Sequence, residues 1–182
     1  MENHIKKLAL LRGINVGGKR KILMKDLKQL FANLGYEDVQ TYIQSGNVIF
    51  KGDTEMDTTQ EEEALSLAIQ KAFGYDVPVI IRTAHEIDQL VEANPFLKEG
   101  HSIENLHLCF LGENPENQLF ENLETIDAKG DLFTAHKNNL FIYCRSKYHE
   151  SKLSNQTIEK KLQTKATTRN WKTILKLQGM ME

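Results

Sequence analysis

Cysteine is scarce in this chain, and long apolar runs are missing. Only two of its 182 residues are cysteine, Cys109 and Cys144. Each sits inside an apolar run (LHLCFL and FIYC) with no CxxC pair, which excludes a disulfide framework and a zinc ribbon and leaves buried reduced thiols. No stretch approaches the roughly 18 consecutive apolar residues of a membrane helix. The opening MENHIKKLALLRG has no small-residue cleavage site after its apolar core, so a cytoplasmic protein without membrane association is expected. The six histidines, His4, His85, His101, His107, His136 and His149, form no HxxxH or related ligand pair, so no metal is expected. No nucleophile, base and orienting group can be assigned from spacing, and neither a P-loop nor a GxGxxG fingerprint occurs. VIFKGD lacks the alternating aromatics of an RNA-binding RNP1 strand. The catalytic class and the cofactor stay open.

What is present is ordinary globular material: 40% hydrophobic and 26% charged residues, enough for one sizeable core or two small ones. The net charge of -2 hides a segregation along the chain. Ile5 to Lys28 carries eight Lys or Arg against one acid, and Arg145 to Lys176 carries nine against two, while between Tyr36 and Asp127 nineteen acids face four bases. Either the two ends build one basic surface, or these are solvated helix faces.

Periodicity supplies the elements. Ile5 to Leu11 reads as a strand. Met24, Leu27, Leu30, Phe31 and Leu34 recur at helical spacing up to Gly35. VQTYIQSGNVIF (Val39 to Phe50) has the composition of a hairpin bent at Ser45, Gly46 and Asn47. Thr59 with Glu62 predicts a capping box for a helix carrying Leu65, Ile69 and Phe73, in which Glu61, Glu62 and Glu63 complement the helix dipole. Val77 to Arg82 is a fourth strand. This βαββαβ order is the ferredoxin-like plan, helices on one face of an antiparallel sheet. After a short helix capped by Thr83 and Glu86, βαββ recurs from Asn105 to Cys144. A helix capped by Ser154 follows, and a last helix is expected to begin near Thr168. The expected fold class is therefore α+β with two ferredoxin-like subdomains, the second incomplete and finished by C-terminal helices. The expected domains are 1–83, a connector at 84–103, and 104–182.

In that plan the loop leaving the first strand and the bend before the third share one rim. LLRGINVGGKRK places Arg12, Gly13, Asn15, Gly17, Gly18 and Lys19 there, facing Gln44, Ser45, Gly46 and Asn47. Glycine N–H groups and cations around one point suit a phosphate or carboxylate; alternatively the glycines serve only to turn the chain. A second cluster, Ser151, Lys152, Thr168, Arg169 and Asn170, lies where two helices are expected to start, again a setting for anions or simply for caps.

The motifs LLRGINVGGK, TYIQSGNVIF, NPF (Asn94 to Phe96), SKL (Ser151 to Leu153) and TTRNWKTILKL (Thr167 to Leu177), in this order, resemble a family of bacterial proteins catalogued as domain of unknown function 1697. The resemblance implies a ferredoxin-like pair of subdomains and no established activity. Arg12, Asn15, Gln44, Ser45, Asn47, Lys152, Arg169 and Asn170 match the family's motif positions. The family's glycine-containing approach to SKL is replaced here by Lys147, Tyr148, His149 and Glu150, so no backbone cradle is expected there. The expected function is binding of a phosphorylated small molecule, nucleotide or nucleic acid between the two halves. Two alternatives remain: an enzyme of phosphoester or acyl-group transfer in which Arg12 and Lys152 stabilise charge, and an interaction module whose acidic middle docks a protein partner of unknown identity.

Overall fold

The structure, a computed structural model, describes residues 4–182. In β1 (His4–Leu11) the alternation sends Ala9 and Leu11 into a helix-covered core, while Leu8 and Leu10 are buried on the opposite face. Helix α1 (Met24–Asn33) buries Leu27 and Phe31. The hairpin β2 (Glu37–Tyr42) and β3 (Asn47–Asp53) follows, then α2 (Thr58–Phe73) and β4 (Val79–Thr83). The sheet order is β2-β3-β1-β4 with every neighbour antiparallel. Phe31, Tyr36 and Phe50 form an aromatic cluster in its core, with centroid separations of 5.4 Å for Phe31 to Phe50 and 4.7 Å for Tyr36 to Phe50.

Thr83 and Glu86 form the expected reciprocal cap, Thr83 N donating to Glu86 Oε2 at 2.8 Å and Glu86 N to Thr83 Oγ1 at 3.2 Å, and open α3 (Ala84–Ala93). Asn94 then caps the short α4 (Pro95–Lys98). The second pattern is β5 (Leu106–Leu111), α5 (Asn117–Glu124), β6 (Leu132–His136), β7 (Asn139–Tyr143), α6 (Asn155–Leu162), β8 (Ala166–Asn170) and α7 (Trp171–Met181). Its sheet order, β6-β7-β5-β8, repeats that of the first.

The second sheet is therefore complete, which corrects one expectation. The TTRN segment is not the start of a helix but the strand β8, paired antiparallel to β5, with Leu108 opposite Arg169 and His107 opposite Asn170. Helix α7 begins only at Trp171, where Asn170 Oδ1 accepts the Thr173 N–H at 2.8 Å. A second correction concerns α2. Its cap is Asp57, which accepts the Gln60 N–H at 3.0 Å, and Glu62 turns inward to accept the Ile81 N–H at 2.8 Å instead of closing a box with Thr59.

Two compact units result. One runs to Asp88 and takes back Leu177–Glu182; the other is Gln89–Lys176, so the boundaries fall within α3 and α7. The first unit packs Leu27, Phe31, Leu65 and Ile69 from its helices on Ala9, Val48, Phe50 and Ile81. The second packs Leu123, Ile158 and Leu162 on Cys109, Leu140, Ile142 and Ala166.

Candidate functional site

In the first unit the loop after β1 and the bend between β2 and β3 do meet. Leu11 N donates to Gly46 O at 2.8 Å, and Arg12 N to Pro78 O at 2.9 Å, which also brings in the segment after α2. Asn15 carries the tie. Its Nδ2 donates to Ile22 O and to Gln44 O, each at 2.9 Å, and its Oδ1 accepts the Ile22 N–H at 2.9 Å. One amide thus closes its own loop and fastens it to the neighbouring bend. Asn15 adopts φ 55°, a left-handed conformation that asparagine tolerates better than most residues. Arg20 (φ 48°) and Ile43 (φ 51°), on the same two loops, are left-handed as well. For a β-branched residue such as Ile43 this is an outlier that the surrounding contacts must hold in place.

The glycines have separable roles. Gly17 and Gly18, at φ 58° and 74°, form the tip of a two-residue turn closed by Lys19 N donating to Val16 O at 3.1 Å, and a side chain at either would meet open space. Gly46 is different: a Cβ there would lie 2.7 Å from Ile14 Cδ1 and 2.8 Å from Leu11 Cβ, so its lack of a side chain is what lets the bend close on β1. Asn47 is buried and donates from Nδ2 to Tyr42 O at 2.9 Å and Ser45 Oγ at 3.1 Å, holding the bend's shape. The cations sit around this frame. Arg20 Nη1 reaches Arg12 O at 3.4 Å, and no carboxylate among the described residues pairs with Lys19, Arg20 or Lys21. Val16 and Ile43, on the same two loops, are exposed.

The C-terminal cluster is placed in the second unit, where Ser151, Thr168, Arg169 and Asn170 are engaged locally. Ser151 Oγ accepts the Leu153 N–H at 3.0 Å, and Lys152 is exposed. Thr168 Oγ1 donates to Asn155 Oδ1 at 2.6 Å. Arg169, buried on the opposite face of β8, donates from Nη1 to Thr167 Oγ1 at 2.8 Å and Thr168 O at 3.1 Å. Asn170 borders a cleft.

That cleft, about 530 Å³, is lined by Asn105, His107, Ser146, Lys147, Tyr148, Glu150, Asn170 and Lys172 among others. His107 is the residue that sequence reasoning missed. It is 9% exposed, stacks on Tyr148 with centroids 4.7 Å apart, and places Nδ1 3.3 Å from Asn105 O. Burial lowers its pKa below the ordinary 6.5, outweighing the Asn105 carbonyl and the more distant Asp131 carboxylate. The imidazole is therefore neutral at pH 7, and because a carbonyl only accepts, the Nδ1 facing it carries the proton. Nothing in LHLCFL distinguishes this histidine from a core strand residue.

A buried ion pair was also invisible in the sequence. Lys7, 2% exposed, extends Nζ to Glu61 Oε2 at 2.6 Å and to Asp53 O at 2.7 Å; Glu61 is fully buried. Burial first, and then the Glu61 carboxylate, push the Tyr36 phenol above its usual range. Glu61 and Glu62 are thus interior groups with named partners rather than exposed complements of a helix dipole. The thiols are inert by position: both are buried and neither is in a disulfide, and burial raises Cys144 to about 11. Among the described residues no group of three or more His, Cys, Asp or Glu could hold a metal ion, and no helix is long and apolar enough to cross a membrane.

A family model described as "Protein of unknown function (DUF1697)" matches residues 4–141. The solved structure of conserved bacterial protein SP0830 from Streptococcus pneumoniae is similar at a TM-score of 0.79 and 24% identity, over 98% of this chain and 99% of that one. At that identity the likeness speaks to the fold. Comparison with curated proteins gives no match.

Proposed function

The chain belongs to the DUF1697 family, whose function is unknown, and we propose that it binds an anionic ligand at the glycine-loop rim of its first unit. The ligand class is a phosphorylated small molecule, a nucleotide or a nucleic-acid backbone. The observation that carries this reading is a rigid frame with unneutralised charge: Asn15 fixes the loop to the Gln44 bend, while Lys19, Arg20 and Lys21 meet no carboxylate there. Cations held beside a preorganised backbone lose little freedom when an anion arrives, so more of the charge-assisted hydrogen bonding shows as affinity. The two buried thiols, neither in a disulfide, suit a reducing compartment, and we infer a cytoplasmic setting from them.

The amide resonances of Gly13, Gly17, Gly18 and Gly46 are the direct reporters. Titration with inorganic phosphate, a nucleoside triphosphate and a short RNA should shift these four and weaken as salt is raised. The variant Lys19→Glu with Lys21→Glu should abolish the shifts without altering stability. If millimolar concentrations of all three ligands leave the four glycines unmoved, the reading is wrong.

A further inference from the structure

The two units are repeats of one design, and where they differ a reactive group is uncovered. Superposing their strand registers sets Leu8, paired with Arg82 and Ile49, against Leu108, paired with Arg169 and Phe141. On that register Lys7 corresponds to His107. The helices align too: Leu65 and Ile69 of α2 correspond to Ile158 and Leu162 of α6, all buried, so Glu62 corresponds to Asn155. Asn155 Oδ1 accepts from the Thr168 hydroxyl and Glu62 Oε1 from the Ile81 backbone N–H, the two donors belonging to matching strand positions.

The difference lies one residue earlier. Helix α2 has 16 residues and α6 has 8, and the missing length includes the turn that carries Glu61. In the first unit that turn seals Lys7 under a carboxylate. In the second its place is taken by Ser154, which caps α6 through the Thr157 N–H, preceded by a one-turn 3-10 segment at Tyr148–Glu150. The position of Glu61 thus holds no carboxylate, and the cleft of about 530 Å³, with Glu104 and Glu150 in its lining, lies beside His107.

We propose that this cleft is a phosphoryl-accepting site, with His107 Nε2 as the nucleophile toward an acyl-phosphate or phosphoramidate donor. Its geometry is set for that task. Asn105 O is a fixed acceptor, since it also receives the Cys144 N–H at 2.9 Å while Asn105 Nδ2 donates to Cys144 O at 2.7 Å. With Nδ1 directed there, the lone pair resides on Nε2, which has no hydrogen-bond partner among the described residues. Burial keeps the ring unprotonated and hence nucleophilic at neutral pH. Donors for the phosphoryl oxygens line the same cleft: the Lys147 and Lys172 ammonium groups, the Ser146 hydroxyl, and the amide NH2 of Asn170, whose Oδ1 is committed to Thr173. Of the carboxylates there, Glu104 is paired with Lys172, while Glu150 is exposed to solvent. Asp131, which acts on His107 from farther away, accepts the Arg145 N–H at 2.8 Å.

The step balances without a proton shuttle. The Nε2 lone pair forms the N–P bond, the donor's P–O bond breaks, and its electron pair leaves on the donor's carboxylate oxygen. With a phosphoramidate donor, which reacts as its N-protonated zwitterion, the P–N bond breaks, its electron pair stays on nitrogen, and ammonia leaves. The ring becomes cationic, its Nδ1–H still donating to Asn105 O. This inference is independent of the anion site on the first unit.

The test treats the full-length protein with potassium phosphoramidate and with acetyl phosphate, and locates the product by peptide mapping and phosphorus NMR. The expected result is an acid-labile phosphoryl group on Nε2 of His107, formed at least about tenfold faster than on exposed His149. Lys147→Met and Lys172→Met should each slow phosphorylation about tenfold while leaving carbethoxylation of His107 by diethyl pyrocarbonate, a neutral electrophile, unchanged. These exposed-lysine variants keep the test decisive even if His107→Gln folds poorly. Attachment at Nδ1, a rate no greater than that of His149, or equal slowing of both reagents by the lysine variants would each overturn the proposal.

Discussion

The rim of the first unit depends on a single amide, and replacing Asn15 measures how much. Its two bonds with Ile22 are part-buried and worth about 1 kcal/mol each, while the bond to Gln44 O is exposed and contributes a few tenths. Alanine at φ 55° adds a left-handed penalty of about 1 kcal/mol, which glycine does not incur. Asn15→Ala should therefore destabilise by about 3 kcal/mol and Asn15→Gly by about 2 kcal/mol. Asn15→Asp keeps the acceptor for the Ile22 N–H but loses both donated bonds, so it should fall between wild type and Asn15→Ala. Urea unfolding followed by circular dichroism reads these differences as shifts of midpoint at constant slope. The same variants should weaken the phosphate-induced shifts of the loop glycines in the same order, because a loop freed from the bend must be ordered again on binding. Two results would refute the reasoning: Asn15→Ala within about 0.5 kcal/mol of wild type, or Asn15→Gly less stable than Asn15→Ala, which would mean that the backbone there is not held left-handed.

Further outcomes follow from the buried groups. Glu61→Leu alone should cost about 3–5 kcal/mol by stranding the Lys7 ammonium, and adding Lys7→Met should restore most of it, read by urea midpoints; a double variant as unstable as the single would contradict the ion-pair account. Gly46→Ala should cost about 3 kcal/mol, since its Cβ would strike Ile14 and Leu11 at a left-handed φ, and thermal unfolding would register it. His107 titrates below 6.5 in the folded chain, so the unfolded state takes up its proton first: stability is full above pH 6.5 and declines as pH falls through the folded value. His107→Gln should flatten that slope in urea unfolding carried out across this range. Cys109 and Cys144 should resist iodoacetamide in the folded protein and react only on unfolding.

Strands with apolar residues on both faces were legible in the sequence because burial on two sides leaves a dense, unmistakable run: LALL, NVIF and LHLCFL all became strands. The hairpin at Ser45 to Asn47 was legible from turn chemistry. β8 was not, because ATTRN alternates Ala166, Thr168 and Asn170 on one face with Thr167 and Arg169 on the other, and polar side chains on both faces erase the contrast that period-two reading requires. Thr168 ahead of Trp171 also mimics a cap. The acids of α2 misled for a different reason: the partner that draws Glu61 inward, Lys7, is 54 positions away, and only the tertiary fold brings the two together. Asn15 was placed at the rim by motif and topology, but its three-way clamp depends on a φ that sequence does not announce.

The two units hang different side chains on one plan. In both, the backbone at the end of the first strand is held identically: Leu11 N bonds Gly46 O as Leu111 N bonds Asn138 O, and Arg12 N bonds Pro78 O as Gly112 N bonds Lys165 O. In both, an asparagine opens the third strand, Asn47 and Asn139, and an arginine stands next to last in the fourth, Arg82 and Arg169, donating from Nη1 to the carbonyl of the preceding residue. What varies is what hangs from this frame. The first unit extends the loop after its first strand into the cationic Arg12–Lys21 segment and seals Lys7 beneath a full-length α2. The second shortens that loop to Gly112–Glu116, where the charges are Glu113 and Glu116, and shortens the helix as well, leaving His107 beside a cleft. The same exchange predicts its own reversal. His107→Lys places an ammonium where no Glu61 equivalent exists to receive it, so it should destabilise the chain at neutral pH, and Ser154→Glu, at the Glu61 position, should recover part of that loss. Recovery in the pair beyond what Ser154→Glu confers alone, measured as a double-mutant cycle in urea, would establish the alignment of the two units residue by residue; strict additivity would refute it.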